Sequence, residues 1–387
     1  MFNIKTLNKI DQEGLDLFTE DYQIVEEGDV DAIVLRSFKM QDYPLDTKLH
    51  AVARAGAGTN NVPVDKCAEK GIVVFNTPGA NANGVKELVV AGLLLASRNV
   101  VGAIEWAKTL VDEGDEVPKL VEAGKSDFAG PEIKGKTLGI IGLGAIGVLT
   151  ANAASGLGMK VIGYDPFLSV GHALKLSRSV STVKTIEEIY SKSDYISVHV
   201  PLVDATIGMI NDDSMALMDN GVKILNFSRA ELVDDDAMEK ALESGKVSNY
   251  VTDFPNARSI KMKNVIAIPH LGASTPESET NCAIMAVNQI MEYLENGNII
   301  NSVNYPDCDM GVCPTVSRIG VNHKNIPNMV SQITSILADH NINIADMINK
   351  SRGDWAYTML DIENESTKEI VTALEQIDGV VKVRIIK

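Results

Sequence analysis

The run Leu138-Gly139-Ile140-Ile141 followed by Gly142-Leu143-Gly144-Ala145-Ile146-Gly147 constrains this chain more than any other feature. Apolar residues make a short strand, and the glycines then force a tight turn that opens into a helix of small residues. Gly142 permits the turn, Gly144 lets a diphosphate approach the backbone, and Gly147 allows close helix packing. Ala145 and Ile146 open that helix, whose amides and positive end favour an anion. The glycine spacing alone is a weak signal. Here Asp165 also closes a second strand, Val161-Ile162-Gly163-Tyr164, where a carboxylate accepts hydrogen bonds from ribose hydroxyls and repels a 2′-phosphate. Together these residues predict a βαβ unit that binds NAD in preference to NADP.

The same alternation continues. Between Leu138 and Leu271 the runs LGIIG, VIGYD, YISVHV, KILNFS, NYVTDF and VIAIPH are separated by helix-like stretches. Continuous apolar strands alternating with helices indicate a doubly wound parallel sheet, an α/β Rossmann domain. The runs IVLRS, AVARA and IVVFN before residue 97 predict a smaller, flavodoxin-like α/β domain. The polar segment 113–135 reads as the crossing between the two, and a helix from Ala283 to Glu295 leads back. After residue 314 the order is strand, helix, two strands, helix, strand, with Met329, Val330, Ile333, Ile336 and Leu337 on one buried helix face. This is a separate βαββαβ domain. The expected division is 1–97 plus 280–305, 98–279, and 316–387.

Composition removes other classes. A net charge of −17 argues against nucleic acid or an anionic membrane as partner, since both require clustered Lys and Arg. Cys67, Cys282, Cys308 and Cys313 are too scattered for a disulfide framework or a zinc site, and no metal is expected. The N-terminus lacks a basic region followed by an apolar core, and the uncharged run 137–159 is too glycine-rich for a membrane span, so the protein is expected to be cytoplasmic.

Three later strands end in polar residues at the carboxyl edge, where open parallel sheets bind ligands. They are His199-Val200-Pro201, Asn226-Phe227-Ser228-Arg229 and Pro269-His270-Leu271-Gly272. An arginine pairs bidentately with a carboxylate and polarises the adjoining carbonyl, and a histidine exchanges the proton that accompanies hydride transfer. Arg229 and His270 are therefore the candidate catalytic residues for oxidising a 2-hydroxy acid.

At this point the chain resembles the D-isomer-specific 2-hydroxyacid dehydrogenases, through RAGAGTNNV, FNTPGANANGVKELVVAGLLL, GKTLGIIGLGAIG, SVHVPL, NFSRAELVD and IPHLGASTPES, over nearly all of residues 1–305. The resemblance implies that Arg229 holds the substrate carboxylate and carbonyl and that His270 is the acid/base. It also implies that backbone amides near Ala57 and Gly58 meet the carboxylate, and that His199, Pro201, Thr206, Ser228 and Gly272 line the cofactor. One departure stands out. The family places a glutamate in a segment ending Glu-Pro to hold the histidine, whereas this chain reads Asp253-Phe254-Pro255-Asn256-Ala257-Arg258. Asp253, or Thr252 one residue earlier, takes the cofactor-side position, and what orients His270 is left open.

Leu35-Arg36-Ser37-Phe38-Lys39 is similar to a family loop that grips a substrate phosphate, which implies 3-phosphoglycerate as substrate through Arg36, Ser37 and Lys39. The C-terminal unit resembles the ACT regulatory domain, with His323, Asn325 and Asn343 matching a serine-binding pattern, so L-serine is the expected effector. Asn328 stands where that pattern has glycine, which suits left-handed backbone. The expected assembly is a homodimer or homotetramer. Two alternatives remain: a glyoxylate or hydroxypyruvate reductase of the same family, and an NAD-sensing corepressor that does not turn over.

Overall fold

The computed structural model describes residues 1–387. The chain divides into two compact units, Met1–Asn81 with Pro276–Lys387, and Ala82–Thr275.

The second unit carries a seven-stranded sheet in the order Val265–Ala267, Val247–Thr252, Val222–Asn226, Tyr195–Val198, Thr137–Ile141, Lys160–Tyr164, Val180–Thr182. Every pairing is parallel. The chain starts at Thr137–Ile141 and winds outward in both directions, so a crevice opens between this strand and Tyr195–Val198. Six of these strands match the apolar runs. The seventh, Val180–Thr182, escapes the pattern because it is a short polar edge strand with two of three residues exposed.

The sequence boundaries shift here. Helix Ala82–Ser97, expected in the first domain, packs Val85, Val89, Leu93 and Ala96 against Leu138, Leu225 and Phe227 of the nucleotide sheet. Its glycine shows why the fit is specific, since a Cβ at Gly92 would meet the Phe227 ring at 2.9 Å. Segment 113–135, expected as the crossing, instead contains the helix Val117–Gly124 and lies inside the second unit. Phe128 stacks on Trp106 there, with centroids 5.2 Å apart, and the chain crosses after Asn81 and after Thr275.

The first unit holds a five-stranded parallel sheet in the order Tyr22–Ile24, Phe2–Thr6, Ala32–Leu35, Ala51–Arg54, Val73–Phe75, the flavodoxin-like arrangement expected. Helix Pro276–Asn296 covers one face, burying Ala283, Ala286, Ile290 and Tyr293 against Ala51, Ala53 and Phe75.

A second sheet in this unit is antiparallel, ordered Ile344–Arg352, Trp355–Ile362, Ser317–Lys324, Val380–Ile385, with helices Met329–Asp339 and Lys368–Glu375. The βαββαβ order is as read, and Asn328 takes the left-handed backbone (φ +71°) ahead of the first helix. By contact the module falls within the same compact unit as the five-stranded sheet. Its strand Trp355–Ile362 buries both faces. Leu360 and Ile362 meet the module's own helices, while Tyr357 and Met359 join the core of Tyr293, Tyr305 and Cys308. Each such buried side chain contributes about 1.5–3 kcal/mol. Arg318 fixes the junction, pairing with Asp361 at 2.6 and 2.8 Å and donating to the carbonyls of Asn296 (2.9 Å) and Gly311 (2.5 Å). Arg384 lies over the Tyr293 ring at 4.5 Å.

No single helix is long and apolar enough to cross a membrane. All four cysteines are buried and unbridged, and no group of His, Cys, Asp or Glu is arranged to hold a metal.

Candidate active site

The glycine turn does what its spacing requires. Gly142 has φ +92°, and a Cβ there would meet the His199 carbonyl at 2.5 Å. A Cβ on Gly147 would lie 1.9 Å from the Gly142 carbonyl, which only glycine permits. Above Gly144 the space is open, and the helix Ala145–Gly156 starts there without a side-chain cap. Its first amides, including those of Ala145 and Ile146, are left for an anion. Asp165 braces the turn, accepting from Leu143 N–H and Phe167 N–H, each at 2.8 Å. Each carboxylate oxygen keeps a second lone pair for a ribose hydroxyl. An open diphosphate cradle next to a braced carboxylate fits a dinucleotide.

The neighbouring strand ends are held from below. Ser197 Oγ and His199 Nε2 lie 2.9 Å apart, and burial pushes the His199 pKa down to about 4, so its ring is neutral near pH 7. Thr206 Oγ1 donates to the Pro201 carbonyl at 2.7 Å and shapes the turn after that strand. Ser228 Oγ donates to the Val198 carbonyl at 2.8 Å, tying two strand ends together.

Arg229 and His270 are both exposed at the carboxyl edge of this sheet. One aromatic ring organises them. The Phe254 centroid lies 5.4 Å from the Arg229 guanidinium carbon and 4.5 Å from the His270 ring. Arg229 also donates Nη1 to the Ser228 carbonyl at 2.6 Å, and buried Asn226 donates Nδ2 to the Arg229 carbonyl at 2.7 Å. His270 has φ +38°, a strained value for a non-glycine residue, and its N–H donates to the Asp253 carbonyl at 2.9 Å.

Asp253 is only 1% exposed, and its Oδ2 accepts from Gly272 N–H at 3.2 Å. Burial raises its pKa, opposed by the Gly272 hydrogen bond and the charges of His270 and Arg229. Gly272 is small for a reason, since a Cβ there would lie 3.1 Å from that carboxylate.

In the first unit, Arg36, Ser37 and Lys39 follow the strand Ala32–Leu35, with Ser37 and Lys39 exposed. Arg36 pairs with Glu279 at 2.7 Å. Arg54, which the sequence reading passed over, links two loops: its Nε donates to the Arg36 carbonyl at 3.0 Å and its Nη1 to the Gly58 carbonyl at 2.5 Å. Asn61 holds the Arg36 and Phe38 carbonyls, and Asn76 holds the Ala57 carbonyl at 2.6 Å. The loops carrying Ala57, Gly58 and Arg36 are thus one braced group. A lone arginine inside a strand gives no spacing signal, and Phe254 reads as core, so neither was legible.

The expected serine residues do not converge within one chain. His323 is buried, with its ring nitrogens engaged by Lys324 O (2.8 Å) and Thr358 Oγ1 (2.9 Å). Asn325 donates to Gly353 O at the Trp355 end of strand Trp355–Ile362, while Asn343 donates to Glu363 at its other end. At about 3.3 Å per residue these sites are roughly 25 Å apart. The helix between them returns the chain to its starting side, so the strands Ser317–Lys324 and Ile344–Arg352 run parallel and begin at the same end.

Comparison with known proteins decides the family. The model for "D-isomer specific 2-hydroxyacid dehydrogenase, NAD binding domain" matches residues 93–272. The chain is 32% identical over 350 residues to D-3-phosphoglycerate dehydrogenase of Haemophilus influenzae, covering 88% of this chain and 82% of that one. The chain belongs to the D-3-phosphoglycerate dehydrogenases of the D-isomer specific 2-hydroxyacid dehydrogenase family. D-3-phosphoglycerate dehydrogenase 2 of Saccharomyces cerevisiae is 30% identical over 83% of this chain and 70% of its own length. The NAD+-bound 3-phosphoglycerate dehydrogenase of Entamoeba histolytica superposes with a TM-score of 0.59 at 27% identity, over 78% of this chain and 98% of that one. D-mandelate dehydrogenase of Rhodotorula graminis, at 24% identity and a TM-score of 0.67, shares the fold. As a member of this family the chain is an NAD-dependent oxidoreductase, and its second unit carries the NAD-binding domain.

Proposed function

We propose that the chain oxidises 3-phosphoglycerate at C2 to 3-phosphohydroxypyruvate, the first step towards L-serine, in the cytoplasm. The pairing of Arg229 and His270 against the single ring of Phe254 carries this reading. NAD, when bound, supplies the acceptor for the C2 hydride. Arg229 holds the C1 carboxylate and polarises the developing carbonyl, since its fork offers parallel donors to two oxygens. His270 accepts the C2 hydroxyl proton as the C–H bond breaks, and in the reverse direction returns it. Asp165 takes the ribose hydroxyls, while Arg36, Ser37 and Lys39 take the substrate phosphate. Ala57 and Gly58 offer backbone donors to the carboxylate. His199, Pro201, Thr206, Ser228 and Gly272 shape the cofactor wall. His270→Ala should lower kcat by about 10²–10⁴, the usual worth of general acid–base catalysis. Arg229→Ala should damage both kcat and KM. Near-normal turnover in His270→Ala would refute the assignment.

Regulation follows from the C-terminal module, which we read as an ACT domain acting between copies in a homodimer or homotetramer. Its edge strand Ile344–Arg352 is exposed at seven of nine residues. Antiparallel pairing of two such edges would bring Asn343 of one copy towards Asn325 of the other, a site for L-serine. Buried His323 serves there as a brace for Asn349 and Thr358. Calorimetry should show millimolar or tighter serine binding that Asn325→Ala abolishes, and no binding to the intact protein would remove the effector.

A further inference from the structure

Arg36 opens the loop that takes the substrate phosphate, and its main chain is held without help from its side chain. Its N–H donates to Asn8 Oδ1 at 2.9 Å, and its carbonyl accepts from Arg54 Nε at 3.0 Å and Asn61 Nδ2 at 3.1 Å. The guanidinium reaches instead to Glu279, in the first turn of helix Pro276–Asn296, with Nη2 2.7 Å from Oε1. The two side chains are 42% and 43% exposed, so water screens the pair and it contributes little to folding. A contact that neither places the loop nor adds much stability needs another reason, and the acceptor supplies one. A carboxylate offers the guanidinium the same kind of charged oxygen that a phosphate offers.

We propose that Glu279 is a displaceable counter-anion for Arg36: it holds the guanidinium while the site is empty, and the substrate phosphate binds by taking its place. Glu279 thereby sets the affinity for phosphorylated substrate and product. Two features make the exchange feasible. Glu279 stays in a favourable position after release, because the positive end of its own helix lies at that first turn. Arg36 keeps its three backbone bonds, so the exchange needs only side-chain torsions. A competing carboxylate weakens phosphate binding in the ground state and the transition state alike, so it acts on KM and leaves the chemical step alone. It also loosens the grip on the phosphorylated product, which must leave in every turnover.

The proposal rests on Arg36 meeting the phosphate of 3-phosphoglycerate, and a double-mutant cycle separates the two. Glu279→Gln keeps the size of the side chain and removes its charge. In the NAD-saturated enzyme it should lower KM for 3-phosphoglycerate by about fivefold, the upper worth of an exposed ion pair, with kcat no higher. The ratio of kcat/KM for 3-phosphoglycerate to that for D-glycerate should rise by the same factor, because D-glycerate brings no phosphate to compete. In an Arg36→Ala background the same change should move KM by less than about twofold, since no guanidinium remains to be contested. An unchanged or raised KM in Glu279→Gln, where Arg36→Ala raises KM, overturns the proposal and leaves the phosphate role of Arg36 in place. An equal fall in KM with and without Arg36 also overturns it and assigns the effect to the general negative field of the site. An unaltered KM in Arg36→Ala overturns both readings together. If Glu279→Gln fails to fold, Glu279→Asp, which shortens the reach by one methylene, decides: a lower KM supports exchange, and an unchanged or higher one refutes it.

Discussion

Replacing Arg318 by methionine tests whether the C-terminal module and the first sheet form one cooperative body. Methionine fills much of the arginine stem but removes the guanidinium, leaving Asp361, only 1% exposed, without the two donors at 2.6 and 2.8 Å. The carbonyls of Asn296 and Gly311 lose their donor as well. Breaking a buried ion pair from one side costs about 3–5 kcal/mol, because the remaining charge stays buried and unpaired. With a urea slope of about 2–3 kcal/mol/M, the unfolding midpoint of the first unit should fall by about 1–2 M. The two tryptophans make the assay clean, since Trp106 lies in the second unit and Trp355 in the first. In a Trp106→Phe background, Trp355 fluorescence follows only the unit that holds Arg318. Adding Asp361→Leu should recover most of the loss, because no buried charge then remains. A midpoint shift below about 0.3 M, smaller than that slope allows for such a cost, would refute the reasoning and restore the module as a loosely attached domain.

Asp165→Ala should narrow the preference for NAD over NADP by removing the carboxylate that repels a 2′-phosphate, and equal kcat/KM for both cofactors in the unmodified enzyme would contradict it. His199, held neutral by burial with a pKa of about 4, makes the folded state bind fewer protons than the unfolded chain, whose histidine titrates near 6.5. Its contribution is therefore complete above about pH 6.5 and is lost as pH falls towards about 4, at no more than about 1.4 kcal/mol per unit. His199→Gln should flatten the pH dependence of the second unit's melting temperature over that window, and an unchanged slope would show that other groups control it. Gly147→Ala should abolish NADH binding, because a Cβ placed 1.9 Å from a backbone carbonyl cannot be accommodated without moving the phosphate turn.

The nucleotide half of the site was legible because backbone sterics dictate it. Gly142 and Gly147 sit where a Cβ would strike a carbonyl, so the spacing in sequence is a direct image of the turn. The placement of Arg229 and His270 beyond strand ends was legible from the apolar runs that precede them. What the sequence hid depends on partners far along the chain. An apolar helix does not announce which sheet it will cover, and Gly92 lying against Phe227 decides that for Ala82–Ser97. Strand Trp355–Ile362 carries no polar face, and that absence of alternation was the available sign that a second layer covers it. Arg54 and Phe254 belong to no spacing pattern and acquire meaning only through the carbonyls and rings they touch. Asn325 and Asn343 match a serine-binding pattern in sequence, although a crossover between parallel strands puts them at opposite ends of strand Trp355–Ile362.

The most direct test of the account is the initial rate of NADH formation with 3-phosphoglycerate against D-glycerate, D-lactate and other unphosphorylated 2-hydroxy acids. Charge-assisted hydrogen bonds contribute about 1.5–3 kcal/mol each, so two cations on the phosphate predict a kcat/KM advantage of about 10² or more for 3-phosphoglycerate. That advantage should collapse in Arg36→Ala and Lys39→Ala while the rate with D-glycerate holds. Equal or better turnover of an unphosphorylated acid by the unmodified enzyme would contradict the account.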